Sequence, residues 1–199
     1  MSYSQVTTLT YHAMLVAWGQ FGQCIDLIAQ IEAVSLRQKK VDHTPNRKVL
    51  EFFVAILGGL AYLKDISLSA HPLDQDQAVA QAWGQTSWAD HSGVSRALSA
   101  LTMDEARQIV DVLDQVSRPF IDQEVLLALR DQGRIVYDGD LTGRPVSNSS
   151  TTYPDAEYGH MSDAVQLGYQ AAMVSFHSPM YGRQWLMAVP HLDSTVACT

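Results

Sequence analysis

Two carboxylates at a fixed spacing carry the most chemical promise in the chain: Asp138 and Asp140, in the stretch RIVYDGDLTGRPVS. Ile135 and Tyr137 alternate with Val136, a period of two that predicts a strand, and Gly143 with Pro145 supplies its exit turn. Residues two apart on a strand share a face, so both carboxylates point the same way about 7 Å apart along the backbone, at the end of a buried strand. Like charges placed so repel, and a cation, a shared proton or open water must offset them. An Asp-Gly-Asp run also makes an ordinary solvated turn. Leu141 and Thr142 speak for the strand, because they continue its pattern before Gly143 breaks it.

Two families carry a similar stretch. Asp138, Asp140 and Thr142 with Gly143 match the Asp-x-Asp-x-Thr of haloacid-dehalogenase-like magnesium phosphatases. That resemblance would make Asp138 a nucleophile on phosphorus and Asp140 a general acid/base. The later Ser/Thr, Lys and second acidic pair of that family have no counterpart here.

The fuller resemblance is to DDE transposases of bacterial insertion sequences, whose catalytic core is RNase H-like. Asp140-Leu141-Thr142 resembles the Asp-x-Thr that ends their first core strand. Residues 164–176 (AVQLGYQAAMVSF) and 183–189 (RQWLMAV) resemble the next two strands of a meander, and DLTGRPVS, YPDAEYGHM, LGYQAAMVSFHSP and GRQWL follow in the family's order. The resemblance implies metal-assisted phosphodiester hydrolysis and strand transfer at transposon ends, with two Mg2+ or Mn2+ ions about 4 Å apart. Asp140 would be the first catalytic carboxylate and metal ligand, with Asp138 as the second choice. It also implies a second Asp and a Glu beyond the third strand, whereas only Asp193 follows, in HLDSTVACT. The expectation is a truncated transposase front, inactive alone because magnesium gains little from one carboxylate. Tyr169, Met173, Trp185 and Met187 would lack covering helices, which favours self-association.

The rest of the chain must position these groups. Its 199 residues, 47% of them apolar, allow one or two globular domains. The longest apolar run, 52–63 (FFVAILGGLAYL), has the length of a buried helix, so no membrane partner is expected. No basic segment precedes an apolar one at the start, and Cys24 and Cys198 form neither a disulfide framework nor a zinc spacing; a bacterial cytoplasm fits, with the nucleoid when DNA is bound. The net charge of -8 argues against a chain that is mainly a nucleic-acid binder. Arg37, Lys39, Lys40, Arg47 and Lys48 crowd one stretch, either a solvated linker or a phosphate contact.

Met14, Trp18, Phe21, Ile25 and Ile28 recur in steps of four and three, predicting a helix over 10–31 with that stripe in the core. A second helix is predicted over 49–62, with Thr44-Pro45 as cap and first turn and Leu50, Phe53, Leu57 and Leu60 as its apolar face. Within 74–101 a helix through Val79 and Trp83, a break at Gly84 and a second helix opened by Asp90 or Ser92 resemble a helix-turn-helix with a long turn. Val94, Leu98 and Leu101 would then face inward, leaving Ser95, Arg96 and Ser99 for the major groove and phosphates of double-stranded DNA. Asp74, Asp76 and Asp90 would face the same DNA.

Thr102 and Glu105 form a capping box that opens another helix, striped by Ile109, Leu113, Val116 and Phe120 and ended or kinked at Arg118-Pro119. A further helical stretch over 121–130 precedes the strand. The polar segment 145–162 is too long for a tight hairpin and holds His160, expected as an ordinary surface residue. The expected fold class is α+β: an all-helical, helix-turn-helix-like domain over 1–130, then an incomplete RNase H-like three-stranded antiparallel meander over 131–199.

Overall fold

The computed structural model describes residues 9–38, 42–148, 156–161 and 163–191. Among them are seven α-helices and one four-stranded antiparallel sheet, a mixed α+β architecture. The chain divides into two compact units, 1–117 and 118–199.

The first unit holds α1 (Ala13–Cys24), α2 (Leu27–Ala33), α3 (Pro45–Leu57), α4 (Asp65–Leu68), a 3-10 turn (Leu73–Gln75), α5 (Gln77–Ala82) and α6 (His91–Ser99). Leu15, Ile31, Leu50, Val54, Ile66, Val79, Trp83 and Val94 form its core. The Trp83 indole donates to the Leu15 carbonyl at 2.8 Å, which satisfies its polar atom while its ring fills the interior. Thr44 caps α3 by accepting from the Arg47 N–H, and Pro45 takes the first helical position, as the sequence predicts. The helix ends at Leu57 rather than 62, because Gly58 caps it and Gly59 turns left-handed at φ 70°.

The helix predicted over 10–31 is two helices, broken at Asp26 with φ 57°. The first three residues of its stripe face outward, Met14, Trp18 and Phe21 being 68%, 44% and 42% exposed, while Ile28 is buried in the core and Ile25 packs half-buried against it, as expected. The buried face of α1 is Leu15, Gly19 and Gly22. With no side chains at the two glycines, α1 comes close enough to Trp83 that a Cβ on Gly19 would stand 2.8 Å from Ala82 backbone atoms. Close backbone approach buries a glycine face that hydrophobic spacing cannot indicate.

Helix α7 (Met103–Gln132) runs from one unit into the other. Its capping box forms as expected: Thr102 N–H donates to Glu105 Oε2 at 2.9 Å and Glu105 N–H to Thr102 Oγ1 at 3.3 Å. The helix neither ends nor restarts at Pro119, which lies inside it. Both Pro119 and Gln115, whose carbonyl the missing N–H would have bonded, are exposed, so water can satisfy that oxygen. Val112, Leu113 and Val116 pack half-buried on the first unit's core, and Phe120, expected in that stripe, is 46% exposed.

The second unit contains β1 (Tyr137–Pro145), β2 (Glu157–Met161), β3 (Ala164–Ser178) and β4 (Gly182–His191). The long β3 is central: β1 pairs along 168–176 on one side, and β4 along 170–178 with β2 along 164–168 on the other. Strands β1, β3 and β4 thus pair antiparallel at the predicted places, with β2 intervening in the chain between β1 and β3. The expectation of three strands is corrected to four, because β2 lies inside the segment read as a loop. Met161 of β2 is buried where Gly143 and Gly168 lack side chains, and a Cβ on either would stand under 3 Å from it. Gly143 accordingly lies inside β1, and the strand ends at Pro145.

Candidate functional site

Alternation along the strands places Asp138 and Asp140 of β1, Met173, Ser175 and His177 of β3, and Arg183 and Trp185 of β4 on one sheet face, since Asp138 pairs with Ser175, Asp140 with Met173, and His177 with Arg183. The other face is tied to α7: Ser178 donates to Glu124, and Phe176 and Ala128 are fully buried.

Asp138 is the most engaged carboxylate of the site. His177 Nε2 lies 2.7 Å and Arg183 Nη2 2.8 Å from its Oδ2, and both hydrogen bonds are charge-assisted with an ionised carboxylate. The His177 hydrogen bond first, then the charges of His177 and Arg183, hold the Asp138 carboxyl below its usual range. Arg183 reaches from β4 to β1 across β3, and beneath that span Ser175 is fully buried with an Oγ that has no hydrogen-bond partner. The guanidinium also sits 5.7 Å from the centre of the Trp185 ring, whose side chain is largely exposed.

Asp140 has the opposite character. It is exposed and makes no side-chain hydrogen bond or ion pair among the described residues. The two like charges are therefore offset differently, Asp138 by protein cations and Asp140 by water. The expectation of a buried strand is corrected here: β1 is an edge strand with mostly exposed residues, so the cost of two carboxylates on it is small. An open cleft of about 360 Å³ lies over this face, lined by both aspartates, Ser175, Met173, Arg183 and Trp185.

Among the described residues no group of three His, Cys, Asp or Glu side chains could hold a metal ion. Asp140 and the orphaned Ser175 hydroxyl offer a divalent ion one free carboxylate and one neutral oxygen, while Asp138 is already bound. That set does not fit a pair of cations.

In the helical unit, Asp90 opens α6 by accepting from Gly93 N–H at 2.5 Å, and that hydrogen bond holds its carboxyl below the usual range. Ser92 Oγ donates to Asp90 at 2.9 Å and accepts from Arg96 Nη1 at 3.3 Å. Arg96 and Ser99 are exposed and Ser95 half-buried, while Val94 is buried and Leu98 half-buried, the facing read from the sequence. Lys48, in the first turn of α3, lies beside the start of α6, its Cε 3.8 Å from where a Cβ on Gly93 would stand. Arg47 is half-buried next to it, and Lys39 and Lys40 lie outside the described residues.

Helices α5 and α6 do not form a tight turn unit: α5 packs against α1, α6 packs against α3, and segment 83–90 runs between them. A DNA contact would therefore rest on α6 together with the start of α3. Asp76 and Asp90, placed against DNA by the sequence reading, are occupied as helix caps, Asp76 accepting from Val79 N–H at 3.0 Å.

The sequence reading missed His177, Arg183 and Ser175. A hairpin over Ser178 to Gly182 pairs His177 with Arg183, but their reach to Asp138 needs the strand order as well. No protein-family model, curated protein or solved structure significantly matches this chain.

Proposed function

We propose that the chain is the part of a DDE-type DNA transposase that carries its end-binding helical unit and the first strands of an RNase H-like core. One observation carries the reading: Asp140, which by motif resembles the first catalytic carboxylate, is the unengaged acid on the first strand of an antiparallel sheet, facing an open cleft. Of the two aspartates it is the one able to accept a cation, because Asp138 is already paired with Arg183 and hydrogen-bonded to His177. In that family's chemistry a divalent ion would supply Lewis-acid charge at the scissile phosphodiester, and of the described residues here Asp140 would be the free carboxylate to hold one. This chain's own residues do less: Asp138 fixes the face by gripping β3 and β4, and Asp140 presents a solvated carboxylate. Catalysis is assigned to an assembly that adds further carboxylates.

The helical unit would meet double-stranded DNA through α6, with Arg96 and Ser99 outward and Lys48 and Arg47 alongside. Binding without chemistry is the second reading, favoured by the lone free carboxylate, and in both readings DNA affinity resides in the helices. The test is duplex binding by fluorescence anisotropy over a salt series, with probes drawn from the DNA flanking the gene. Arg96→Ala should weaken binding about fivefold to thirtyfold, roughly 1–2 kcal/mol, and Lys48→Ala should lower the salt slope by about one. Asp140→Asn should leave binding unchanged. Wild-type affinity in Arg96→Ala would remove α6 from the interface, and with it the end-binding role.

A further inference from the structure

Glu51 lies in the middle of α3, wholly buried, and neither reading above uses it. One carboxyl oxygen, Oε2, accepts from the Ala89 N–H at 2.8 Å; the other, Oε1, has no partner. Ala89 belongs to segment 83–90, which leads from α5 into the Asp90 cap of α6. The same interior holds further buried atoms without partners, Asp74 Oδ1, Trp88 Nε1 and His91 Nδ1, so the polar groups around this segment are sparsely satisfied.

Burial favours the neutral acid. The charged groups acting on Glu51 are Asp74 of the 3-10 turn and Asp90 at the start of α6, which oppose its ionisation, and Lys48 on its own helix, which favours it. Acids on the other neighbouring helices have their own partners: Glu32 of α2 accepts from Gln85 at 3.1 Å, and Asp65 of α4 from Tyr62 N–H at 3.0 Å. His91 of α6 is anchored through its backbone N–H to Ser67 Oγ at 2.9 Å.

We propose that Glu51 is a proton-operated latch: while protonated it seats segment 85–91 and the start of α6 on α3, and loss of the proton lets that segment lift. A neutral carboxyl tolerates full burial, whereas a carboxylate there has one N–H donor and two acidic neighbours. Lifting the segment is the shortest way to hydrate it, because Ala89 is its single hydrogen-bond partner. Desolvation, the largest cause, followed by the acidic neighbours, pushes the Glu51 carboxyl up to about 8, which places the change near neutral pH. If α6 meets DNA as proposed above, the latch also sets the pH range of that contact.

Amide hydrogen exchange on the whole chain tests the latch without DNA, so its failure and the failure of the DNA reading are separate events. With Glu51 hydrated in the open form and protonated in the closed one, protection of the Ala89, Val94 and Ala97 amides should fall about tenfold per pH unit between about pH 5 and 8, then level off. The amide of Val54 in α3 should stay better protected throughout. Glu51→Gln keeps an acceptor for Ala89 and cannot ionise, so its profile should be flat. The carboxyl carbon resonance of Glu51 in the wild-type chain gives a second reading that needs no variant, with a midpoint near 8 expected. A midpoint in the ordinary glutamate range, a slope that survives Glu51→Gln, or equal protection of Val54 and Ala89 at every pH would each overturn the latch.

Discussion

Replacing Gly19 by alanine sets two effects of known size against each other on α1. In a helix interior alanine is favoured over glycine by about 1 kcal/mol. The new methyl, however, would meet the carbonyl carbon and oxygen of Ala82 and Cδ1 of Trp83, all at 2.8 Å. Two of those atoms are backbone, and Trp83 is 1% exposed and held to Leu15 by its indole, so none can yield cheaply. Overpacking of this kind costs about 1–3 kcal/mol, and with immovable neighbours the upper half of that range applies. The net effect of Gly19→Ala is a loss of about 1–2 kcal/mol. Gly22→Ala, three residues on, is the internal control: its methyl would sit 3.5 Å from Trp83 Cζ3 and 3.8 Å from Ile28 Cγ1, ordinary contact distances. There the propensity gain survives, at about 0.5–1 kcal/mol. The two variants should therefore move in opposite directions and differ by about 2–3 kcal/mol, or roughly 10 °C in melting temperature for a unit of this size. Urea titrations followed by tryptophan fluorescence measure both. Equal stability of the two variants, or a stabilised Gly19→Ala, would refute the close approach of α1 to Trp83.

Other outcomes follow from single hydrogen bonds. Thr102→Ala removes the Oγ1 that accepts from Glu105 N–H and should destabilise the first turn of α7 by about 1 kcal/mol, visible as earlier exchange of the Glu105 amide. Asp138 has a carboxyl held below its usual range, so its link to His177 and Arg183 is fully present above the ordinary aspartate pKa of about 4 and is lost as pH falls through the depressed value. Trp185 fluorescence should consequently change in strongly acid solution, and Asp138→Asn should abolish that step. An unaltered acid profile in the variant would mean that Arg183 is not held by Asp138.

Much of the local structure was legible because its cause is local. Thr102 with Glu105, Thr44 with Arg47 and Asp90 with Gly93 are interactions between residues three apart, and each opens a helix where the sequence places one. The strands near 164–176 and 183–189, expected from the resemblance, form as β3 and β4. The candidate site was legible in part. The two aspartates share a face because the strand repeat is two, but their different fates depend on which side chain reaches them from a strand more than forty residues away.

Packing between distant segments decided the rest. The apolar stripe of Met14, Trp18 and Phe21 faces solvent because Gly19 and Gly22 admit Trp83 more closely than any larger side chain would allow. Segment 157–161 is a strand because β3 is long enough to offer it an edge beyond β4, with Gly143 and Gly168 leaving room for Met161. Asp138 is neutralised only because β1 and β4 flank the same strand, bringing Arg183 within 2.8 Å. By itself the sequence determined several helix caps, which acids share a face, and which motif they resemble, since those depend on neighbours along the chain. Only the tertiary structure decided which faces are buried, which aspartate stays free and which glutamate loses its water, because each of those depends on what arrives from elsewhere in the fold.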